Sequence, residues 1–223
     1  MLKRLITGGM CLLFWQASQV TAQTVVSGFN FNGTTSGATS SNSFLYNADR
    51  GNGNVTFNGS GVSFFTGTTQ NAFTGDASGM AYSPLNGTSS VNNGKSLLFS
   101  FDASAFTGLT FSYATQRTNT GFTTQTISTS IDGTTFSQVG TVSPGTSFAA
   151  TQLFDVSALD NAANAIIRIT LTGASGSSQN NRFDNVQITG MPEPSVAVLV
   201  GSAALPLLGR RRSRALSAAC SLV

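Results

Sequence analysis

The sequence predicts an all-β fold: two antiparallel sheets packed as a β-sandwich of the jelly-roll type. Three observations predict it. Apolar residues recur at every second position in short runs, so that each run has an inward and an outward side. The runs are divided by Gly, Ser, Thr and Asn clusters and by Asn-Gly and Asp-Gly pairs, which supply turns. Sixteen of the seventeen phenylalanines fall between Gln23 and Gly190, more buriable surface than a disordered low-complexity chain carries.

The chain begins with Met1 to Ala22, which reads as a secretory signal peptide with its short apolar helix. Lys3 and Arg4 form a basic start, Leu5 to Ala17 an apolar middle and Val20-Thr21-Ala22 a small-residue exit. Cleavage is expected between Ala22 and Gln23. Met10 is too large to precede a lipid-modified Cys11, and an uncleaved anchor would not need the small-residue exit.

Residues 23–190 form the expected β-sandwich ectodomain. Val25 to Phe31 opens it as a strand. Asn54 to Phe57 and Val62 to Thr66 flank Asn58-Gly59-Ser60-Gly61, an expected hairpin. Gly67 to Asn93 reads as a loop with at most one edge strand. Ser96 to Asp102 places Leu97, Phe99 and Phe101 on one face, and Leu109 to Thr115 does the same with Leu109, Phe111 and Tyr113. Thr123 to Ile131 presents Ile127 and Ile131 inward, turns through Asp132-Gly133-Thr134-Thr135 and returns as Phe136 to Val142. Phe148 to Val156 is a further strand, and Ser157 to Ala163 a helical turn capped by Asp155 and Asp160. Ile166 to Thr172 sets Ile167, Ile169 and Leu171 inward against Arg168 and Thr170 outward. Arg182 to Thr189 closes the domain with Asp184, Val186 and Ile188 in phase.

Beyond the domain, residues 191–212 combine three parts. Pro192, Glu193 and Pro194 form a stiff extended tripeptide. Ser195 to Gly209 is uncharged and mostly apolar, and at about 1.5 Å per residue reaches roughly 22 Å against a hydrocarbon core of about 30 Å. Arg210, Arg211 and Arg212 then supply a basic membrane stop on the cytoplasmic side, followed by a cytoplasmic basic tail over 213–223. A C-terminal helix docked on its own domain would instead carry a polar stripe.

Those three parts in that order resemble the PEP-CTERM sorting signal of Gram-negative bacteria that make exopolysaccharide. The resemblance implies a short transmembrane helix and processing near Pro192, Glu193 and Pro194 by an exosortase-type membrane transpeptidase, after delivery by the secretion machinery. It further implies an inner-membrane intermediate, then release to or attachment at the cell surface or extracellular matrix. Pro206 inside the apolar run and the tail Ser213 to Val223 depart from that pattern. The run from Leu109 to the Arg-Phe-Asp-Asn-Val segment is similar to jelly-roll ectodomains carried by such proteins.

Charge and chemistry bound the function. The whole chain has a formal charge of +3, but its excess lies in the targeting ends. Residues 23–190 hold five basic against seven acidic residues, a net −2, which disfavours nucleic acid as a partner. There is no histidine, the only glutamate is Glu193, and both cysteines lie outside residues 23–190. Ser-His-Asp catalysis, the usual zinc sites and disulfides are thereby excluded from the domain.

Three candidates remain. Asp184 could pair with Arg182, accept backbone hydrogen bonds, or ligate a structural calcium at the sandwich rim with Asn185 and loop carbonyls. No close aspartate pair suggests the separation a glycosidase needs. Glycan stacking would have to use Tyr46 and Tyr82, placed in loops, since Tyr113 is in phase with the core and Trp15 leaves with the leader. The Asn-x-Ser/Thr triplets at Asn32, Asn54, Asn58 and Asn86 read as turns. The expected function is therefore a non-enzymatic, exported structural protein of the cell surface or exopolysaccharide matrix, without a required cofactor. A carbohydrate-binding module of the cell surface is the alternative.

Overall fold

A computed structural model of the 223-residue chain describes residues 22–37 and 44–193. The leader up to Thr21, Pro194, Arg210 to Arg212 and the tail 213–223 lie outside the described residues. Ala22 and Gln23 are exposed, directly ahead of the first strand.

Fourteen strands follow in the described residues: β1 (Thr24–Phe29), β2 (Tyr46–Asn47), β3 (Arg50–Gly51), β4 (Asn54–Phe57), β5 (Val62–Thr66), β6 (Met80–Pro84), β7 (Ser96–Phe101), β8 (Phe106–Arg117), β9 (Thr124–Ser130), β10 (Ser137–Val142), β11 (Ala149–Ala150), β12 (Phe154–Asp155), β13 (Ala165–Thr172) and β14 (Asn181–Pro192). All pairings are antiparallel. The first sheet is centred on β8 and β14, with β11 and β12 outside β8. On its other side β14 meets β6, then β5, along its first residues, and β1, then β3, along the rest. The second sheet runs β10-β9-β13-β7-β4-β2. Among the described residues no helix is long and apolar enough to cross a membrane.

The alternating runs dictate the core. Phe29, Phe111, Tyr113 and Phe183 from the first sheet meet Val55, Phe57, Leu97, Phe99, Ile127, Ile167 and Ile169 from the second, all fully buried. Phe29 and Phe99 touch edge to face across the two layers, with centroids 5.4 Å apart. One polar bridge crosses this core: the Tyr113 hydroxyl donates to Gln125 Oε1 at 2.9 Å, and Gln125 Nε2 donates to Thr115 Oγ1 at 2.9 Å.

Several elements depart from the sequence expectation. Asn58 to Gly61 is not a hairpin, because β4 pairs with β7 in one sheet and β5 with β6 in the other. Asn92 enforces the crossing by accepting the Ser60 N–H and donating to Ser60 O and Leu85 O. Residues 80–84, expected as loop or edge, form β6 between β5 and β14, and Tyr82 is fully buried. Phe148 to Val156 is broken into β11 and β12, leaving Leu153 63% exposed. Ile131 lies past the end of β9 and is 60% exposed, since the turn carries it off the sheet. Only Ser157–Leu159 is helical, as a 3-10 turn. Asp155 accepts its Ser157 N–H, whereas Asp160 instead receives the N–H groups of Gly108 and Leu109 and ties this segment to β8.

The last strand also runs further than the expected domain end at Gly190. Met191 and Pro192 still pair with Thr107 and Phe106, and the Glu193 N–H donates to Ala105 O at 2.9 Å. Proline is admissible there because a terminal rung can spare its N–H.

Candidate functional site

The outward face of the second sheet is built by register. Its central row runs Thr56, Leu98, Arg168, Ser128, Gln138 across β4, β7, β13, β9 and β10. The row on one side is Asn54, Ser100, Ile166, Ser130, and on the other Ser96, Thr170, Thr126, Thr141. Period-two alternation forces this, because Ile167 and Ile169 turn inward. The face is uncharged except at its centre, with two half-buried apolar spots, Leu98 and Ile166, among hydroxyl and amide groups.

Arg168 occupies that centre. Its guanidinium carbon lies 3.7 Å from the centroid of Phe136, which the β9–β10 hairpin swings onto the same face. Arg168 Nε is buried with no partner. The other arginines of the described residues all find acceptors: Arg50 pairs with Asp76, Arg117 donates to the carbonyls of Pro144, Thr118 and Asn119, and Arg182 donates to Thr66 O.

Asp184 marks a second polar cluster. Pairing with β6 stops at Phe183 and pairing with β1 resumes at Val186, so Asp184 and Asn185 have no strand on that side. The β5–β6 connection fills the gap. Asp184 accepts the Thr68 N–H at 2.7 Å and the Asn185 N–H at 2.8 Å. Asn185 donates to Thr68 O and Gln70 O, and Asn71 donates to Asn185 O. A bulge here, with Asn185 at φ 48°, breaks the expected phase: Phe183 takes the core position and Asp184 faces away from it. Burial pushes the Asp184 carboxyl up to about 7, the two N–H donors oppose this, and the negative charges of Asp49 and Asp76 add to the rise.

No protein-family model matches this chain, and no curated protein does. Among solved structures it is similar to the CBM22-1 xylan-binding domain of Paenibacillus barcinonensis Xyn10C, with 9% identity over 78% of this chain and 99% of that one, at a TM-score of 0.45. It is also similar to the K2 cleaved adhesin domain of Lys-gingipain, with 10% identity over 75% and 97% of the two chains and a TM-score of 0.43. A variant of the carbohydrate-binding module CBM29-2 aligns with 12% identity over 76% and 92%, at a TM-score of 0.37.

Of the three expected roles for Asp184, the structure realises the backbone clamp; Arg182 turns instead to Thr66 O and the Phe65 ring. Both carboxylate oxygens are taken by N–H donors. Among the described residues no three His, Cys, Asp or Glu side chains come together as a metal-holding group, so the arrangement fits calcium poorly. The two tyrosines expected in loops are structural. Tyr82 donates to Phe44 O from the core, and Tyr46 packs on Phe31 at 5.0 Å while donating to Asp49.

The acids are equally committed. Asp49 accepts the N–H groups of Asn30 and Phe31, Asp102 that of Ser104, Asp132 those of Thr134 and Thr135, and Asp76 pairs with Arg50. With Asp155, Asp160 and Asp184, all seven aspartates of the sandwich accept hydrogen bonds that fix turns or loops. Asn86 is buried and donates to Thr120 O and Gly176 O, 34 and 90 residues away, so its side chain ties distant loops together where a local turn was expected.

Sequence reasoning placed Arg168 outward but missed its partner. Phe136 stands two residues before Gln138, which faces Ser128, the neighbour of Arg168; that register was the available signal.

Proposed function

We propose that the protein is an exported, non-catalytic polysaccharide-binding module of the cell surface, retained in an extracellular matrix by that binding. One observation carries the reading: a face of Ser, Thr and half-buried apolar side chains around the Arg168–Phe136 stack, on a sheet whose other side is core. Pyranose rings present both C–H faces and hydroxyl rims, and such a face meets both, with Leu98, Ile166 and Phe136 for the first and Ser and Thr side chains for the second. Binding at this face favours a module over a purely structural role. The engagement of all seven aspartates in turn and loop hydrogen bonds supports a non-catalytic reading.

The address belongs to the same proposal. The leader is cleaved between Ala22 and Gln23. Pro192, Glu193 and Pro194, with Arg210, Arg211 and Arg212, direct an exosortase-type transpeptidase and leave the domain outside the inner membrane. Mass spectrometry of the cell-surface protein tests this: a chain still ending at Val223 overturns the sorting.

Titration calorimetry of the full chain in detergent micelles against soluble polysaccharides tests the binding. Measurable affinity for at least one polymer, weakened by Phe136→Ala, is expected. No binding to any neutral or acidic polymer overturns the reading.

A further inference from the structure

We infer that the outer face of the second sheet selects polysaccharides that carry carboxylates, and that Arg168 is the group that grips them. The inference rests on the polysaccharide reading above and names the ligand class of that same face.

A guanidinium with a buried, unpartnered Nε is an expensive thing to hold half out of water. Arg182 Nε is likewise buried and unpartnered, but its guanidinium still reaches an acceptor through Nη1, as do those of Arg50 and Arg117: Thr66 O for Arg182, a carboxylate for Arg50 and carbonyls for Arg117. Arg168 alone has no hydrogen bond or ion pair to any described residue. It is also held in place, flat against Phe136 on one side, in the central row of the sheet. With Nε buried, the two Nη groups, which bond to no described residue, are the donors that can match a carboxylate bidentately end-on, and the stack reduces the rotamer freedom lost when one binds.

The surroundings restrict the class. Leu98, Ser128, Ile166 and Thr170 flank Arg168 in the register, and none carries charge, so one negative group among neutral hydroxyls complements the face. A uronate-bearing polymer presents that pattern. Two acids stand beyond the Ser100–Ile166–Ser130 row, Asp102 and Asp132, each engaged with its own turn. Their charge directs a polyanion toward the Thr170 and Thr126 side instead.

The test uses the full chain in detergent micelles with polygalacturonate, dextran sulfate and neutral dextran, each at low and raised ionic strength. Expected results are tighter binding of polygalacturonate than of either other polymer, weakening with salt, and a loss in Arg168→Gln at least about tenfold greater for polygalacturonate than for neutral dextran, a difference of about 1.4 kcal/mol. Arg168→Lys keeps the charge but loses the fork, and is expected to fall between. Equal polygalacturonate affinity in wild type and Arg168→Gln overturns the inference while leaving the polysaccharide reading standing, as does dextran sulfate binding as tightly as the uronate. If Arg168→Gln fails to fold, a salt-independent wild-type affinity for polygalacturonate overturns it. Absence of polygalacturonate binding overturns the inference, and the polysaccharide reading falls with it only if no other polymer binds.

Discussion

Asp184 accepts the backbone N–H of Thr68 at 2.7 Å across 116 residues of chain. The bond stands where a strand rung would be, in the gap that β1 and β6 leave along β14. This carboxyl is shifted to about 7, whereas in an unfolded chain it would titrate near 3.9. Between those values the folded protein holds a proton that the unfolded chain has released, so stability falls as pH rises from about 4 to about 7.

Melting temperature followed across pH 4 to 8 is expected to drop over that window in wild type and to lose most of the slope in Asp184→Asn. Below pH 4 the sign reverses, because hydrogen bonds hold the carboxyls of Asp102, Asp132 and Asp155 below their ordinary range. A profile that is flat between pH 4 and 7 would show that the two N–H donors outweigh burial and keep the carboxyl ionised.

Asn185→Ala removes two side-chain hydrogen bonds at once, to Thr68 O and Gln70 O, and leaves φ 48° to a residue without an amide. A loss of about 2–4 kcal/mol in denaturant unfolding is expected. Gly67→Ala strikes the same spot from the loop, since its Cβ would collide with Asp184 Oδ2 and the carbonyl of Ser78.

Calcium and chelators are expected to leave the melting temperature unchanged, because both Asp184 oxygens already accept N–H groups. A calcium-dependent rise would show that loop carbonyls and Asn185 can rearrange into a metal site.

Tyr113→Phe strands Gln125 Oε1 in the core, where its one donor has gone. A cost of about 1–3 kcal/mol is expected, and Gln125→Leu in the same background is expected to recover part of it by removing the orphaned amide.

Asp160→Ala frees the N–H groups of Gly108 and Leu109. Hydrogen exchange is expected to quicken at residues 105–109 and at Glu193, and to stay unchanged in β13.

The strands that read clearly in the sequence are those whose partners are also core strands. Leu97, Phe99 and Phe101, or Ile167, Ile169 and Leu171, alternate because one layer is buried and the other is not, and the Asp132-Gly133 turn closes a local hairpin. What failed was non-local. Nothing near Asn58 reveals that β4 and β5 belong to different sheets, since Asn92, more than thirty positions away, makes the crossing. Tyr82 sits in a stretch crowded with turn residues, and only β5 and β14 on either side draw it into a strand. The phase of Asp184 was misread because a bulge adds a residue without any glycine to announce it. The binding face was half legible: alternation put Arg168 outside, while its contact with Phe136 depends on the twist of the hairpin.

The chain leaves the sandwich with no slack. The Glu193 N–H is still bonded to Ala105 O, so the last described residue is held at the end of the sheet where β8 begins. A load applied there would run lengthwise down the β8–β14 seam, where many rungs share it, before it reached the rest of the sandwich.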